Sequence, residues 1–369
     1  MVFVENFLAT LKRNKINFFT GVPDSVLKNL SISLEVNNNC EHQIAVNEGS
    51  AIGIGIGHYL ATKKLPCVYM QNSGLGNAIN PIISIADKKI YSIPMLLLIG
   101  WRGAPNSKDE PQHMVKGKIT PNLLKLLNID FCKVKKTEDL KKLDILIKKA
   151  TKEKKIVACL IENKILKNKK KLSLKQKKIK KFSVSREIFL NKLLKLIKKD
   201  VKIISTTGHT SRELMKVREE KKLKKGKDFY MVGGMGHSLS VAIGMSIKLK
   251  KQIICVDGDG SLLMHLGPMF TNSLIKKGNL KHILLNNNSH ESVGGQETGA
   301  NKINFKSLSR SLGYDNYYSI TKNEEIGKVL KKFLKNKKTS LLEVYTKSEI
   351  GKKLPRPKNL IKIKHNFIK

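Results

Sequence analysis

Short apolar runs alternating with helix-patterned stretches predict an α/β fold, built as two doubly wound parallel-sheet domains with no central domain between them. Three observations lead there. The runs at Cys67–Gln71, Met95–Gly100, Ile156–Glu162, Ile253–Val256, His282–Leu285 and Leu341–Tyr345 are continuous rather than alternating, as strands buried on both faces are. A lysine-dominated stretch with little apolar content, residues 166–182, separates two halves of similar size, 1–165 and 183–369. It reads as a solvated linker. The 369 residues suffice for two domains, each with its own core.

Taken in order, the first 20 residues give an amphipathic helix through Phe3, Phe7, Leu8 and Leu11, then a short strand at Ile16–Phe19. Gly21-Val22-Pro23-Asp24-Ser25 is a turn in which Asp24 or Ser25 is placed to cap the next helix. A strand near Ile44–Val46 ends at Asn47-Glu48-Gly49-Ser50, before a helix whose small residues allow close packing. The loop Asn72–Asn77 holds enough glycine for a backbone to approach a ligand. A long polar loop, Trp101–Gly117, follows the Met95–Gly100 strand. The second half repeats the alternation: a helix from Ser185 to Lys199, strand Val201–Ser205, loop Thr206–Ser211, a helix from Arg212, and Gly233–His237 opening another.

The charge is far from balanced: 71 Lys+Arg against 29 Asp+Glu give +42. A basic nucleic-acid-binding protein is the different-class alternative, and salt-dependent retention on DNA would favour it. Against it, the lysines are spread over nearly every helix surface, arginine is scarce and aromatic residues are not interleaved. No nucleic-acid partner is expected. The five cysteines form no CxxC pair and mostly lie in strand-like contexts, as reduced thiols of a cytoplasmic protein do. The N-terminus carries charges inside its apolar pattern, unlike a signal peptide. The longest uncharged run, Phe229–Ile247, is rich in Gly and Ser and makes a poor membrane span, so no membrane partner is expected.

The most informative stretch is 257–296. The strand Ile253–Val256 runs into Asp257-Gly258-Asp259-Gly260-Ser261, a tight turn whose backbone N–H groups suit an anion such as phosphate. Asp259 projects a carboxylate from this turn, and the Asn286-Asn287-Asn288 run ends the next strand. If the two strands are parallel neighbours, both lie at the carboxyl edge of one sheet, where ligands collect. Hard oxygen ligands beside a phosphate cradle suit Mg²⁺.

The spacing of GDG, 25 residues, then NN resembles the diphosphate and metal motif of thiamine diphosphate enzymes. The stretches NEGSAIGIGIGHYLA, GWRGAPNSKDEPQHMVKG, TTGHTSREL, GGMGHS, GDGSLLMHLG and NNNSHESVGGQ together resemble the phosphonopyruvate decarboxylases, and the related sulfopyruvate decarboxylases share much of this. The resemblance spans nearly the whole chain and thins in the lysine-rich linker and past about residue 346. It implies a pyrimidine-binding domain followed by a diphosphate-binding domain. It also implies thiamine diphosphate and Mg²⁺ as cofactors, a small 2-oxo acid substrate, and a homodimer or higher homo-oligomer with the active site at the subunit interface. The implied reaction is decarboxylation of 3-phosphonopyruvate to phosphonoacetaldehyde and CO₂. Sulfopyruvate decarboxylation and carboligation are the alternatives within the superfamily.

Residue by residue, Glu48 resembles the glutamate that hydrogen-bonds the cofactor's aminopyrimidine ring and promotes its activation; its other reading is a first-turn glutamate meeting the helix dipole. Gly233 would offer its carbonyl to the 4′-amino group, and Met235 resembles the apolar wedge that bends the cofactor. Gly258, Asp259, Gly260, Ser261 and Asn287 correspond to the diphosphate and metal motif. Asp259 and Asn287 match the side-chain ligands, with the Ser289 carbonyl as a third; Asn286 fits less well. Relatives often carry Gly-Ala where this chain has Asn288-Ser289, and Asn tolerates left-handed backbone. Arg102 is the first candidate for the substrate's phosphonate, with His113, Lys116, Lys118 and His290 behind it. Asp24, in a GxPD setting, resembles the acidic residue that handles protons late in the cycle; as a helix cap it would serve equally. His113 and His290 are further catalytic candidates.

Overall fold

The computed structural model of the chain describes all residues except 37–39, 171, 173–183, 225, 276, 350 and 351. The chain divides into two compact units, Met1–Lys175 and Gln176–Lys369. In the first, strands β1 (Val2–Phe3), β2 (Phe18–Gly21), β3 (Glu41–Ile44), β4 (Cys67–Gln71), β5 (Met95–Trp101), β6 (Asp130–Val134), β7 (Ile156–Glu162) and β8 (Leu166–Lys167) alternate with helices. Among the described residues, six of these strands form one sheet in the order β3-β2-β4-β5-β7-β6, all pairs parallel, and β1 pairs with β8. The second unit has β9 (Lys202–Ser205), β10 (Lys227–Tyr230), β11 (Ile253–Gly258), β12 (Leu280–Asn286), β13 (Asn316–Ile320) and β14 (Ser340–Tyr345), in the parallel order β10-β9-β11-β12-β14-β13. Counted within its own six-stranded sheet, each unit has the same order, 2-1-3-4-6-5. The order reverses between the first and third strands, β2 and β4 in one unit and β9 and β11 in the other. Crevices at such reversals are where open α/β sheets bind ligands.

Each sheet is covered on both faces. In β5, Leu96 and Leu98 join one apolar cluster while Met95, Leu97, Ile99 and Trp101 join the other. In β11, Ile254 and Val256 face one side, Ile253 and Cys255 the opposite side. This two-sided burial accounts for the continuous apolar runs in the sequence. The edge strands β3, β6, β10 and β13 lack such runs; one flank of each is not paired, and residues such as Glu41, Lys133, Lys227 and Ser319 are tolerated there.

Element ends differ slightly from expectation. The first sheet strand is Phe18–Gly21 rather than Ile16–Phe19, and β3 ends at Ile44 rather than Val46. Residues 166–169, read from the sequence as the start of the linker, belong to the first unit. Leu166 and Lys167 pair with β1, Asn168 bonds Ser33 and Asn29, and the Lys169 amide donates to Glu5. Most of the remaining stretch assigned to the linker lies outside the described residues. Among the described residues no helix is long and apolar enough to cross a membrane.

Candidate active site

In the first unit the candidates gather around the short turn Asn72–Gly74, which follows β4. Gln71, at the end of β4, donates from Nε2 to Asp24 Oδ1 at 2.5 Å, and Ser73 Oγ donates to Gln71 Oε1 at 2.8 Å. Asp24 is buried, and its Oδ2 accepts from the Leu27 amide at 3.2 Å. Asp24 therefore takes a capping bond as well as a place in the site. Burial pushes its carboxyl above the usual range, against the bond from Gln71 and the charge of Arg102. A Cβ on Gly100 would lie 1.9 Å from Asp24 Oδ2, so that glycine makes room for the carboxyl.

The next residue, Asn72, holds Arg102 by two reciprocal bonds: its Nδ2 donates to Arg102 O at 3.0 Å, and the Arg102 amide donates to its Oδ1 at 3.2 Å. The Arg102 guanidinium is not free. Nε and Nη2 fork onto Asp109, and Nη1 reaches Ser25 Oγ at 3.2 Å. Burial raises the Asp109 carboxyl, but the bonds and charge of Arg102 outweigh it and hold Asp109 below its ordinary value. This loop packs directly on the helix Pro111–Leu126. Gly103, at φ +66°, lies so close that a Cβ would meet His113 O at 1.9 Å, and Trp101 Nε1 donates to Gly117 O at 2.9 Å. His113 Nε2 lies 3.7 Å from Glu110 Oε2. Lys116 is half-buried on this helix; desolvation lowers its pKa, while the charge of Glu48 raises it. Lys118 points elsewhere. Two residues along a helix turn about 200°, and Lys118 is exposed, so the structure does not bring it to Lys116.

Glu48 opens the helix Glu48–Thr62, which Asn47 caps by accepting from the Ser50 amide at 2.8 Å. The Glu48 side chain turns inward: the residue is 6% exposed and Oε2 accepts from Asn77 Nδ2 at 2.8 Å. Gly74 lets it lie there, since a Cβ at that position would meet the carboxylate at 2.2 Å. Gln71, Asn72 and Asn77 thus fix three of the candidates. The glycine-rich loop was visible in the sequence, but these partnerships were not.

In the second unit one cavity is lined by Gly258, Asp259, Gly260, Ser261, Met235, Asn287, Ser289 and His290. The turn Thr206–Thr210 after β9, together with Arg186 and Glu291, completes its wall. Strands β11 and β12 are parallel neighbours in register, which brings Asp259 and Asn287 to one sheet edge. Burial pushes the Asp259 carboxyl up to about 6, against the bond from Thr298 Oγ1 to its Oδ2. Asn287 Oδ1 accepts from the Ser289 amide at 3.0 Å and Nδ2 donates to Glu291 Oε2 at 3.2 Å. Asn286 turns the other way, donating to Glu343 at 2.7 Å. Asn288 does adopt left-handed backbone, φ +51°, and its Oδ1 accepts from the Asn301 amide at 3.1 Å.

Ser261 Oγ accepts from Thr206 Oγ1 at 2.8 Å and from the Gly236 amide at 3.0 Å. The loop Gly233–Gly236 is thereby tied to the Gly258–Ser261 turn. Gly234 and Gly236, at φ +64° and +88°, supply the bends that present Met235 to the cavity, while Gly233 does not line it. His290 packs on Gly260, where a Cβ would lie 2.9 Å from its ring. Burial lowers its pKa to about 4. As placed, it is an uncharged hydrogen-bonding group at neutral pH. The donor set fits Mg²⁺ with a diphosphate: one carboxylate and one amide, with two glycine-containing turns lining the same cavity.

Residues 1–123 match the family "Thiamine pyrophosphate enzyme, N-terminal TPP binding domain", and residues 206–344 match "Thiamine pyrophosphate enzyme, C-terminal TPP binding domain". The chain is 40% identical to the sulfopyruvate decarboxylase subunit alpha of Methanocaldococcus jannaschii over 36% of its length and 76% of the relative's. The chain belongs to the thiamine pyrophosphate enzyme family. Within that family its relatives include decarboxylases. It is 28% identical to a phosphonopyruvate decarboxylase of Streptomyces viridochromogenes, covering 89% of this chain and 85% of that protein. To a sulfopyruvate decarboxylase of Methanosarcina acetivorans it is 26% identical, covering 93% and 91%. It is thus a thiamine pyrophosphate-dependent decarboxylase related to both groups.

Proposed function

We propose that the protein decarboxylates 3-phosphonopyruvate to phosphonoacetaldehyde and CO₂, using thiamine diphosphate and Mg²⁺, as a cytoplasmic homo-oligomer serving phosphonate biosynthesis. One observation carries most of the weight. Asp259, Asn287 and the Gly258–Ser261 turn line a single cavity, in a chain related over most of its length to phosphonopyruvate decarboxylases. Thiamine diphosphate, when bound, supplies the electron sink into which a 2-oxo acid loses CO₂. Asp259, Asn287 and the Ser289 carbonyl would hold Mg²⁺, with the amides of Gly260 and Ser261 donating to the diphosphate. Met235 would shape the site as the apolar wedge, and Gly233, which does not line this cavity, would offer its carbonyl to the 4′-amino group.

Glu48, seated on Gly74 and held by Asn77, would share a proton with the aminopyrimidine ring nitrogen. Asp24, whose buried carboxyl holds its proton more tightly than usual, suits late proton delivery. Arg102, with Lys116 close to the same cluster, would meet the phosphonate; Asp109 and Ser25 fix the guanidinium in advance. His113 and His290 would act as hydrogen-bonding partners or proton carriers near the reacting groups.

Sulfopyruvate is the second reading, favoured by the relatives from methanogens. The deciding experiment measures kcat/KM on both substrates with thiamine diphosphate and Mg²⁺, and identifies the aldehyde formed. A higher kcat/KM on phosphonopyruvate is expected, and a clear preference for sulfopyruvate would overturn the assignment.

A further inference from the structure

Asn287 is held by a neighbour whose own setting is unusual. Glu291 is buried, and its Oε2 accepts from two side chains, Asn287 Nδ2 at 3.2 Å and Arg186 Nη1 at 2.8 Å, while His209 Nδ1 lies 3.3 Å from it. Its Oε1 accepts from the Glu349 amide. Arg186, 4% exposed, bonds Glu213 through Nε, and Glu213 in turn pairs with Lys352. The carboxylate of Glu291 is thus held by Arg186 and the Glu349 amide, from two separate parts of the unit, and it needs neither of them to move to act on Asn287.

We propose that Glu291, anchored by Arg186, is a positioning residue for the cation, setting which end of the Asn287 amide the cation meets. The inference rests on the reading of Asp259 and Asn287 as ligands. The two ends of an asparagine amide have nearly the same shape, but only the oxygen can ligate a cation. An ionised carboxylate can only accept, so it selects the NH₂ end and turns Oδ1 away from itself. The Ser289 amide accepts no other orientation either, because it donates to that oxygen at 3.0 Å. The flipped amide would set oxygen against oxygen at Glu291 and donor against donor at Ser289. Arg186, 2.8 Å from Glu291, offsets its charge beside the anion-binding cavity. Partners that orient a ligand in this way are commonly worth about 10- to 100-fold in metal affinity.

The test is calorimetric titration of the full-length protein with Mg²⁺ at saturating thiamine diphosphate, with the thermal midpoint recorded in parallel. Glu291→Met removes the acceptor and is expected to weaken Mg²⁺ by about 10- to 100-fold. Glu291→Gln can keep an oxygen toward Asn287 and should recover most of that loss. Glu213→Gln removes the other carboxylate on Arg186 without touching Asn287; it should lower the thermal midpoint and leave Mg²⁺ affinity within about threefold. Should Glu291→Met not fold, Glu291→Asp draws the acceptor back by one methylene beside Arg186 and carries the same expectation. Unchanged Mg²⁺ affinity in the Glu291 variants, or an equal loss in Glu213→Gln, overturns the positioning role. Wild-type protein that retains thiamine diphosphate without any dependence on Mg²⁺ would instead overturn the ligand reading itself.

Discussion

Asn77 Nδ2 donates to Glu48 Oε2 at 2.8 Å, while Gly74 leaves the space in which the Glu48 carboxylate lies. The carboxylate is therefore aimed by one partner and seated by the absence of another side chain. Glu48→Gln keeps its size but cannot share a proton, so exchange of the thiazolium C2 proton should slow by about 100-fold or more. Gly74→Ala, whose Cβ would strike the carboxylate, should give a similar loss with Glu48 intact. Exchange followed by NMR after acid quench checks both, and wild-type exchange in Glu48→Gln would remove Glu48 from the activating role.

Asp259 meets the cavity with a carboxyl that burial pushes up to about 6. A divalent cation would stabilise its ionised form, so cofactor and metal should be retained together. Asp259→Ala is expected to lose Mg²⁺ binding and, with it, most thiamine diphosphate retention. Calorimetry with both ligands present measures this; holoenzyme of normal affinity from the variant would place the metal elsewhere.

Arg102 is already forked onto Asp109, which sharpens the expectation for its variants. Arg102→Lys gives up the two-pronged geometry and should cost about 2 kcal/mol in kcat/KM for phosphonopyruvate, the scale of a charge-assisted hydrogen bond. Pyruvate, which lacks the phosphonate, should be a poor substrate whose turnover is scarcely altered. Equal losses on both substrates would reassign Arg102 to holding the 101–109 loop, and the phosphonate partner would then be sought at Lys116 or His113.

His282 is fully buried on β12, with Nδ1 3.1 Å from Tyr314 Oη, and burial lowers its pKa to about 3. Below about pH 6.5 the unfolded chain takes up a proton there that the folded chain does not. Stability should therefore fall as pH drops from about 6.5 toward 3, by up to about 1.4 kcal/mol per pH unit for this one group. His42, lowered to about 4 by burial in the other unit, acts with the same sign. Urea unfolding across that range should show a shallower decline in His282→Phe than in wild type; parallel curves would mean that His282 is protonated in the folded state.

The sequence by itself determined the parallel α/β class and the position of the diphosphate turn, because both are written in contiguous residues. Strands such as β5 and β11 are covered on both faces and must be apolar throughout, and the Gly258–Ser261 turn carries its glycines on either side of Asp259. Tertiary structure decided what depends on distant partners. Edge strands β6, β10 and β13 carry mixed residues because one flank is not paired, so no local pattern announces them. Lys116 and Lys118 look alike in sequence, yet helical rotation sends only the first toward Glu48. The bonds from Gln71 to Asp24, from Arg102 to Asp109 and Ser25, and from Arg186 to Glu291 join residues that the fold alone brings within reach. A side chain's chemistry is local, but its orientation and charge state are set by whatever the packed chain places beside it.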